Sequence, residues 1–169
     1  MDTPRVVIGP SGAGKSTLAT AFVATRPGYE FVRTHTTRAV RRGEADTHVF
    51  VDDATFDATD YLGTLDVFGA RYGLPAFATN RTPIILLRVF ALDQFVAVFG
   101  RPRVVQVEAP ADVLVRRLAA RGDDGRADAA ALARETALGR EVADAIVDTS
   151  GAFDVSLAAF AAAVGGARR

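Results

Sequence analysis

Cysteine is absent from this 169-residue chain, which removes disulfides, thiolate catalysis and cysteine-type zinc sites together. Lysine is nearly absent: Lys15 stands alone, and every other cationic side chain is arginine. An excess of one charge is missing as well. Basic and acidic residues number 20 each, for a formal net charge of zero, so no bulk field draws the chain to nucleic acid or to an anionic membrane surface. No apolar run reaches the ~18 residues that would suggest a bilayer span. Met1-Asp2 leads straight into the first expected strand, which predicts no signal peptide. What remains is the expectation of a soluble, cytoplasmic, single-domain protein. Its 49% apolar content is ordinary for a globular chain, and its length is enough for a core without staples.

The stretch Gly9-Pro10-Ser11-Gly12-Ala13-Gly14-Lys15-Ser16-Thr17 has the form G-x-x-x-x-G-K-[ST] of the phosphate-binding P-loop. At this chain's own composition, a chance match is on the order of one in a thousand. Its selectivity comes mainly from the lone lysine. The glycines allow successive backbone N–H groups to turn inward around a phosphate at the positive end of the following helix. In that geometry Lys15 reaches the β- and γ-phosphates of a nucleotide, and the Ser16 hydroxyl is the candidate Mg²⁺ ligand. Gly9, Ser11, Gly12, Ala13, Gly14, Lys15, Ser16 and Thr17 are therefore the candidate ATP-phosphate site.

Along the chain, strands are predicted at 5–9, 30–34, 83–87, 103–108 and 145–148, with an extended run at 49–51. Helices are predicted at about 15–26, 92–99, 111–121, 128–143 and 152–164. Asp52 or Asp53 would cap a short helix reaching Phe56. Residues 61–72 suggest an antiparallel hairpin turning near Gly69, and 75–79 a brief helix or turn. The loop at 36–44 is polar and cationic. Alternating strands and helices give an α/β fold with a parallel central sheet, interrupted between 34 and 80 by a segment that is not βαβ.

Past the second strand the chain resembles the guanylate kinases. That family carries G-P-S-G-[AS]-G-K-[ST], then S-x-T-T-R-x-x-R-x-G-E, then a hairpin ending in Y-Y-G. The matching stretches are Gly9–Thr17, Thr34-His35-Thr36-Thr37-Arg38-Ala39-Val40-Arg41-Arg42-Gly43-Glu44 and Arg71-Tyr72-Gly73. The family's R-L-x-x-R-G matches Arg117–Gly122, and its later arginine with a glutamate seven residues on matches Arg134 and Glu141. The resemblance implies a three-layer P-loop NTPase fold with an inserted mixed acceptor-binding region and a helical lid. The core would comprise 1–33, 81–121 and 135–169, the acceptor-binding region 34–80 and the lid 122–134. It implies ATP and Mg²⁺ as cofactors and a nucleoside monophosphate, GMP or dGMP first, as acceptor. Lys15, Arg38, Arg121 and Arg134 would be catalytic, with Arg126 a further lid arginine. The acceptor would be held by Thr34, Arg38, Arg41, Glu44, His48 and Tyr72. Two arginines three apart with a tyrosine hydroxyl make a fork suited to a phosphate dianion.

The departures gather where the acceptor is read. Thr34 replaces the family's first serine, His48 a tyrosine, Gly63 the glutamate that reads guanine, and Leu74 the serine after Y-Y-G. Asp66 is the acid that could replace that glutamate. The strand expected to read L-D-x-D reads Ile85-Leu86-Leu87-Arg88-Val89, with no acid before Asp93. Arg88 then either contacts phosphate or pairs with a neighbouring acid. Two alternatives follow: a ribose 1,5-bisphosphate phosphokinase, similar to guanylate kinases but without base recognition, and a non-catalytic guanylate-kinase-like binding module.

Overall fold

The computed structural model describes residues 3–40 and 48–166. Short β-branched runs form the centre. Strand β1 (Arg5–Ile8) lies between β7 (Thr82–Leu86) and β8 (Arg103–Glu108), flanked by β2 (Tyr29–Val32) and β9 (Ala145–Asp148). All four pairings in this five-stranded sheet are parallel. Such a sheet is covered on both faces, which is why its inner strands read as continuous apolar runs.

The two-residue period of a strand divides those runs between two cores. Val7, Ile84, Val105 and Val107 point to one side, against Leu18 and Phe22 of α1 (Lys15–Ala24), Leu114 and Leu118 of α4 (Ala111–Ala120), Leu132 of α5 (Ala129–Val142) and Phe160 of α6 (Phe153–Gly165). Val6, Ile8, Ile85 and Val104 point to the other, against Leu92 and Phe95 of α3 (Leu92–Phe99). The result is three layers around a sheet buried on both sides. Burial of a side chain such as Phe160, fully enclosed, contributes about 1.5–3 kcal/mol.

A second, mixed sheet of order β4-β3-β6-β5 is built from β3 (Thr34–Thr36), β4 (His48–Phe50), β5 (Tyr61–Val67) and β6 (Ala70–Pro75). The strand expected at 30–34 is thus two strands, β2 and β3, which part at Arg33 and enter different sheets. Asp52 caps the short helix α2 (Asp53–Asp57), accepting from the Thr55 N–H at 2.7 Å. Residues 75–79 form neither helix nor turn. Pro75 ends β6, and the chain then runs irregularly to β7. Proline at a strand end costs no ladder bond. A 3-10 turn, Asp124–Arg126, links α4 to α5. No helix among the described residues is long and apolar enough to cross a membrane.

Candidate active site

The loop after β1 has the backbone that its glycines predict. Gly9, Gly12 and Gly14 take φ of 144°, 81° and 93°, values that side-chain-bearing residues avoid. A Cβ at Gly9 would lie 2.0 Å from the Val107 carbonyl oxygen, so only glycine lets the loop leave β1 so close to β8. Gly14 precedes the first turn of α1, leaving that turn's N–H groups aimed at the mouth of the loop. Lys15 Nζ folds back to donate to the carbonyls of Gly9 (2.5 Å) and Pro10 (3.0 Å). Desolvation there lowers its pKa from 10.5 to about 8; Arg88 and Arg126 push the same way and Glu135 opposes them.

The loop is braced from behind by residues distant in sequence. Arg117 Nη1 donates to the Gly12 carbonyl (3.3 Å) and to Thr149 Oγ1 (2.9 Å), and its Nη2 to the Thr149 carbonyl (2.5 Å). The Thr149 hydroxyl donates in turn to the carbonyls of Ala13 (2.8 Å) and Glu108 (3.1 Å). Beside this brace lies a recess of about 120 Å³ between Thr17, Arg117, Thr149, Gly151 and Phe153.

In front of the loop a cleft of about 510 Å³ reaches across to the second sheet. Ser11, Gly12, Gly14, Lys15, Ser16 and Thr17 line one end; Gly9 and Ala13 are buried beneath it. Thr34, Arg38, His48 and Tyr72 line the other, with Arg121 and Arg126 above. Arg38 Nε donates to the Tyr72 hydroxyl at 3.1 Å and Arg126 Nη2 to the same oxygen at 3.4 Å, which joins the 3-10 turn to the second sheet. Burial resists ionisation of Tyr72, but the hydrogen bond and charge of Arg126, with Arg38 behind them, outweigh it and hold the phenol below its ordinary pKa. Thr34 Oγ1 and His48 Nδ1 are 2.7 Å apart, and the His48 ring meets Tyr72 edge to face at 5.7 Å.

The inner wall is apolar: Leu62, Leu65, Leu74, Leu87 and Phe95, with Gln94 opposite Gly63. Asp66, the acid considered as a replacement at Gly63, is exposed, pairs across the hairpin with Arg71 and does not line the cleft. Among the described lining residues the single carboxylate is Asp123. Arg134 is exposed on α5, outside the lining residues, as is Glu141. Arg41, Arg42 and Glu44 lie outside the described residues.

Arg88, singled out in the sequence, lines the cleft, and Glu135 and Phe68, which no motif marks, contact that arginine. Arg88, two residues past β7, donates to Ser11 Oγ (3.3 Å) and pairs with Glu135 of α5. Desolvation raises the Glu135 pKa against the charges of Arg88 and Lys15. Phe68, at the β5–β6 turn, has φ of 50° and presents its ring to the guanidinium carbons of Arg126 (4.9 Å) and Arg88 (5.5 Å). The turn itself was legible near Gly69; the contacts were not.

A phosphate cradle facing an arginine–tyrosine fork over one cleft is suited to moving a phosphoryl group between two anionic substrates. Comparison with known proteins agrees. A family profile described as an AAA domain matches residues 5–145. The ribose 1,5-bisphosphate phosphokinase PhnN of Agrobacterium fabrum is 36% identical over 135 residues, covering 73% of each chain. A guanylate kinase of Chromobacterium violaceum is 38% identical over 77 residues, 42% of this chain and 37% of its own. The fold matches the crystal structure of guanylate kinase from Anaplasma phagocytophilum with a TM-score of 0.68 at 19% identity, over 91% of this chain and 80% of that one. The chain therefore belongs to the P-loop kinases of guanylate-kinase type, with the ribose 1,5-bisphosphate phosphokinases among its close relatives.

Proposed function

We propose that the protein transfers the γ-phosphoryl group of ATP to a phosphorylated sugar of the ribose 1,5-bisphosphate kind. The observation that carries this choice is the acceptor wall. Arg38, Tyr72 and Arg126 supply the groups of a phosphate fork, while Gly63 stands where a guanine-reading carboxylate would be and Leu74 where a serine would be. Guanine offers an N–H and an amino group that need an acceptor of charge or near-charge. Thr34 is already engaged with His48, and Gln94 is neutral.

ATP would lay its triphosphate along Gly9–Thr17 and its adenine in the recess beside Arg117 and Thr149. Mg²⁺ would bind Ser16 and phosphate oxygens and neutralise charge developing on the β–γ bridge. A phosphate oxygen of the acceptor attacks the γ-phosphorus, the bond to the bridging oxygen breaks, and ADP leaves. Lys15 stabilises the migrating charge, Arg38 and Tyr72 fix the acceptor in line, and Arg121 and Arg126 exclude water from above. Arg41, Glu44 and His48 belong to the acceptor side of this proposal, as do the region 34–80 and the lid 122–134. The second sheet and the Arg126–Tyr72 contact support that division.

A second reading, GMP or dGMP as acceptor, is favoured by the apolar lining of Leu62, Leu65, Leu74 and Phe95, which suits a base. ADP release with ATP and Mg²⁺ decides between them, using ribose 1,5-bisphosphate, GMP, dGMP, AMP, CMP, UMP and dTMP as acceptors. The proposal expects the sugar bisphosphate to exceed every nucleotide by ~10-fold or more in kcat/KM. A preference for GMP or dGMP would overturn it and assign base reading to Gln94 and Thr34. No turnover with any acceptor, with ATP still raising the melting temperature, would favour the non-catalytic binding module.

A further inference from the structure

We propose that Arg88 is a catalytic residue that contacts the γ-phosphate of ATP, and that Glu135 is the positioning residue that aims it. Arg88 follows β7, which pairs with β1 in the central sheet, so it emerges at the C-terminal edge where ligands of open α/β sheets bind. Its Nη1 reaches Ser11 within the P-loop, its Nη2 is taken by Glu135, and it lowers the pKa of Lys15, so the two cations share one field. Among the described residues its Nε, like Glu135 Oε1, is buried without a hydrogen-bond partner, so the ion pair leaves the guanidinium incompletely satisfied, and Arg88 lines the same cleft as the P-loop.

Chemistry points the same way. The pair is largely buried, with the Glu135 side chain 2% exposed and that of Arg88 20%, and Arg88 is the partner that reaches the cleft. Glu135 fixes one edge of the guanidinium fork, Phe68 and Phe90 lie near it with ring centroids at 5.5 and 5.9 Å, and the remaining edge faces the loop that carries the terminal phosphate. A planar fork clamped in this way matches the geometry of phosphate oxygens better than a flexible ammonium would. Where the guanylate-kinase pattern has acids near the metal, this chain sets a cation on the transferring group itself.

The inference rests on ATP being the donor but not on the identity of the acceptor, so the test uses ATP and ADP alone. Their dissociation constants are measured by titration calorimetry with Mg²⁺ for the full chain and its variants. Arg88→Met should weaken ATP by ~10-fold or more and leave ADP within about twofold, because only ATP carries the γ-phosphate. Removing one partner of a buried pair endangers folding, so Arg88→Met/Glu135→Leu, which removes both charges, is measured alongside and should show the same loss. Glu135→Leu alone should lower the ATP-to-ADP preference, and Glu135→Gln, which keeps an oxygen for the guanidinium, should restore most of it. Equal weakening of ATP and ADP, or no change in either, would overturn the role of Arg88. A wild-type protein that binds neither nucleotide would overturn the kinase reading itself, whereas acceptor failure in the ADP-release panel leaves this test intact.

Discussion

The two ends of the cleft are made of different material. The P-loop end is mostly backbone: nine consecutive residues, three glycines with positive φ and a helix terminus, with Lys15 as its charged side chain. The opposite end is side chain, brought from β3, β4, β5, β6 and the turn before α5, spanning Thr34 to Arg126. A backbone site depends on φ/ψ values and close approach, so it is either intact or lost; the 2.0 Å between a Cβ at Gly9 and the Val107 carbonyl leaves little room for drift. A side-chain site changes one contact at a time. Gly63, Leu74 and the Thr34–His48 pair are where the chain departs from the guanylate-kinase pattern, and under the proposed function they would alter what is read without disturbing the P-loop.

If this division holds, the largest effect lies at the backbone end. Lys15→Ala should lower phosphoryl transfer by ~10³-fold or more, on the scale seen for electrostatic stabilisers of migrating charge. The melting temperature should stay within a few degrees, because among the described residues the Nζ bonds two loop carbonyls and no side chain. A variant that keeps most of its turnover, or one that unfolds, would break the comparison. Arg38→Ala comes next. It should raise the acceptor KM ~10- to 100-fold, as expected for loss of a charge-assisted phosphate contact, with ATP affinity nearly unchanged. Equal losses for ATP and acceptor would mean that the two ends are not separate.

The same contrast explains what could be read from the chain. The P-loop, the parallel strands and the hairpin at 61–72 depend on neighbours in sequence, and the structure has them where periodicity and turn residues predict. The strand at 30–34 divides because Arg33 separates two pairing partners, Pro83–Ile85 for β2 and Gly73–Tyr72 for β3, and pairing is non-local. Arg38 and Tyr72 were legible as members of separate motifs, and the structure adds their 3.1 Å bond. Arg88 was legible from its place after a central strand and Arg117 as the start of the R-L-x-x-R-G stretch, but their partners Glu135 and Thr149, 47 and 32 residues away, carry no signal in local pattern. Arg134 fits a motif spacing yet faces solvent, because spacing along α5 does not say which face meets the cleft.

A pH series sharpens the comparison at a smaller scale. The Lys15 pKa is lowered to about 8 by desolvation in the ligand-free loop, and bound phosphates would raise it again. Above pH 8 nucleotide binding must therefore take up a proton, so ATP affinity should fall ~10-fold per pH unit until the pKa of the complex is reached. An ordinary lysine would hold affinity level to about pH 10. The stability contribution has the opposite sign: between 8 and 10.5 the unfolded chain binds more protons than the folded one, so ligand-free stability from this group rises with pH. Titration calorimetry at pH 8.5 in buffers of different ionisation enthalpy would register the proton uptake. Its absence would mean that Lys15 is already charged in the free protein at that pH.

The smallest expected effect belongs to the hairpin turn where the two ends meet. Phe68 and Gly69 both have positive φ, 50° and 74°, as the favoured two-residue hairpin turn requires, and asparagine is the usual residue at the first position. Phenylalanine there costs about 1–2 kcal/mol of backbone strain. Phe68 recovers little by burial, since 56% of it is exposed, but its ring lies under Arg126 and Arg88, at about 0.5–1 kcal/mol each for exposed cation–π pairs. These terms nearly cancel, so Phe68→Asn should change stability by no more than about 1 kcal/mol, or ~2–4 °C in Tm for a domain of this size. Turnover should still fall several-fold, because the two arginines lose the surface that steadies them over the transferring group. Phe68→Tyr, which keeps the ring, should retain the wild-type rate. Equal rates in the asparagine and tyrosine variants would make the ring a packing feature and would confine catalysis to the groups that touch phosphate directly.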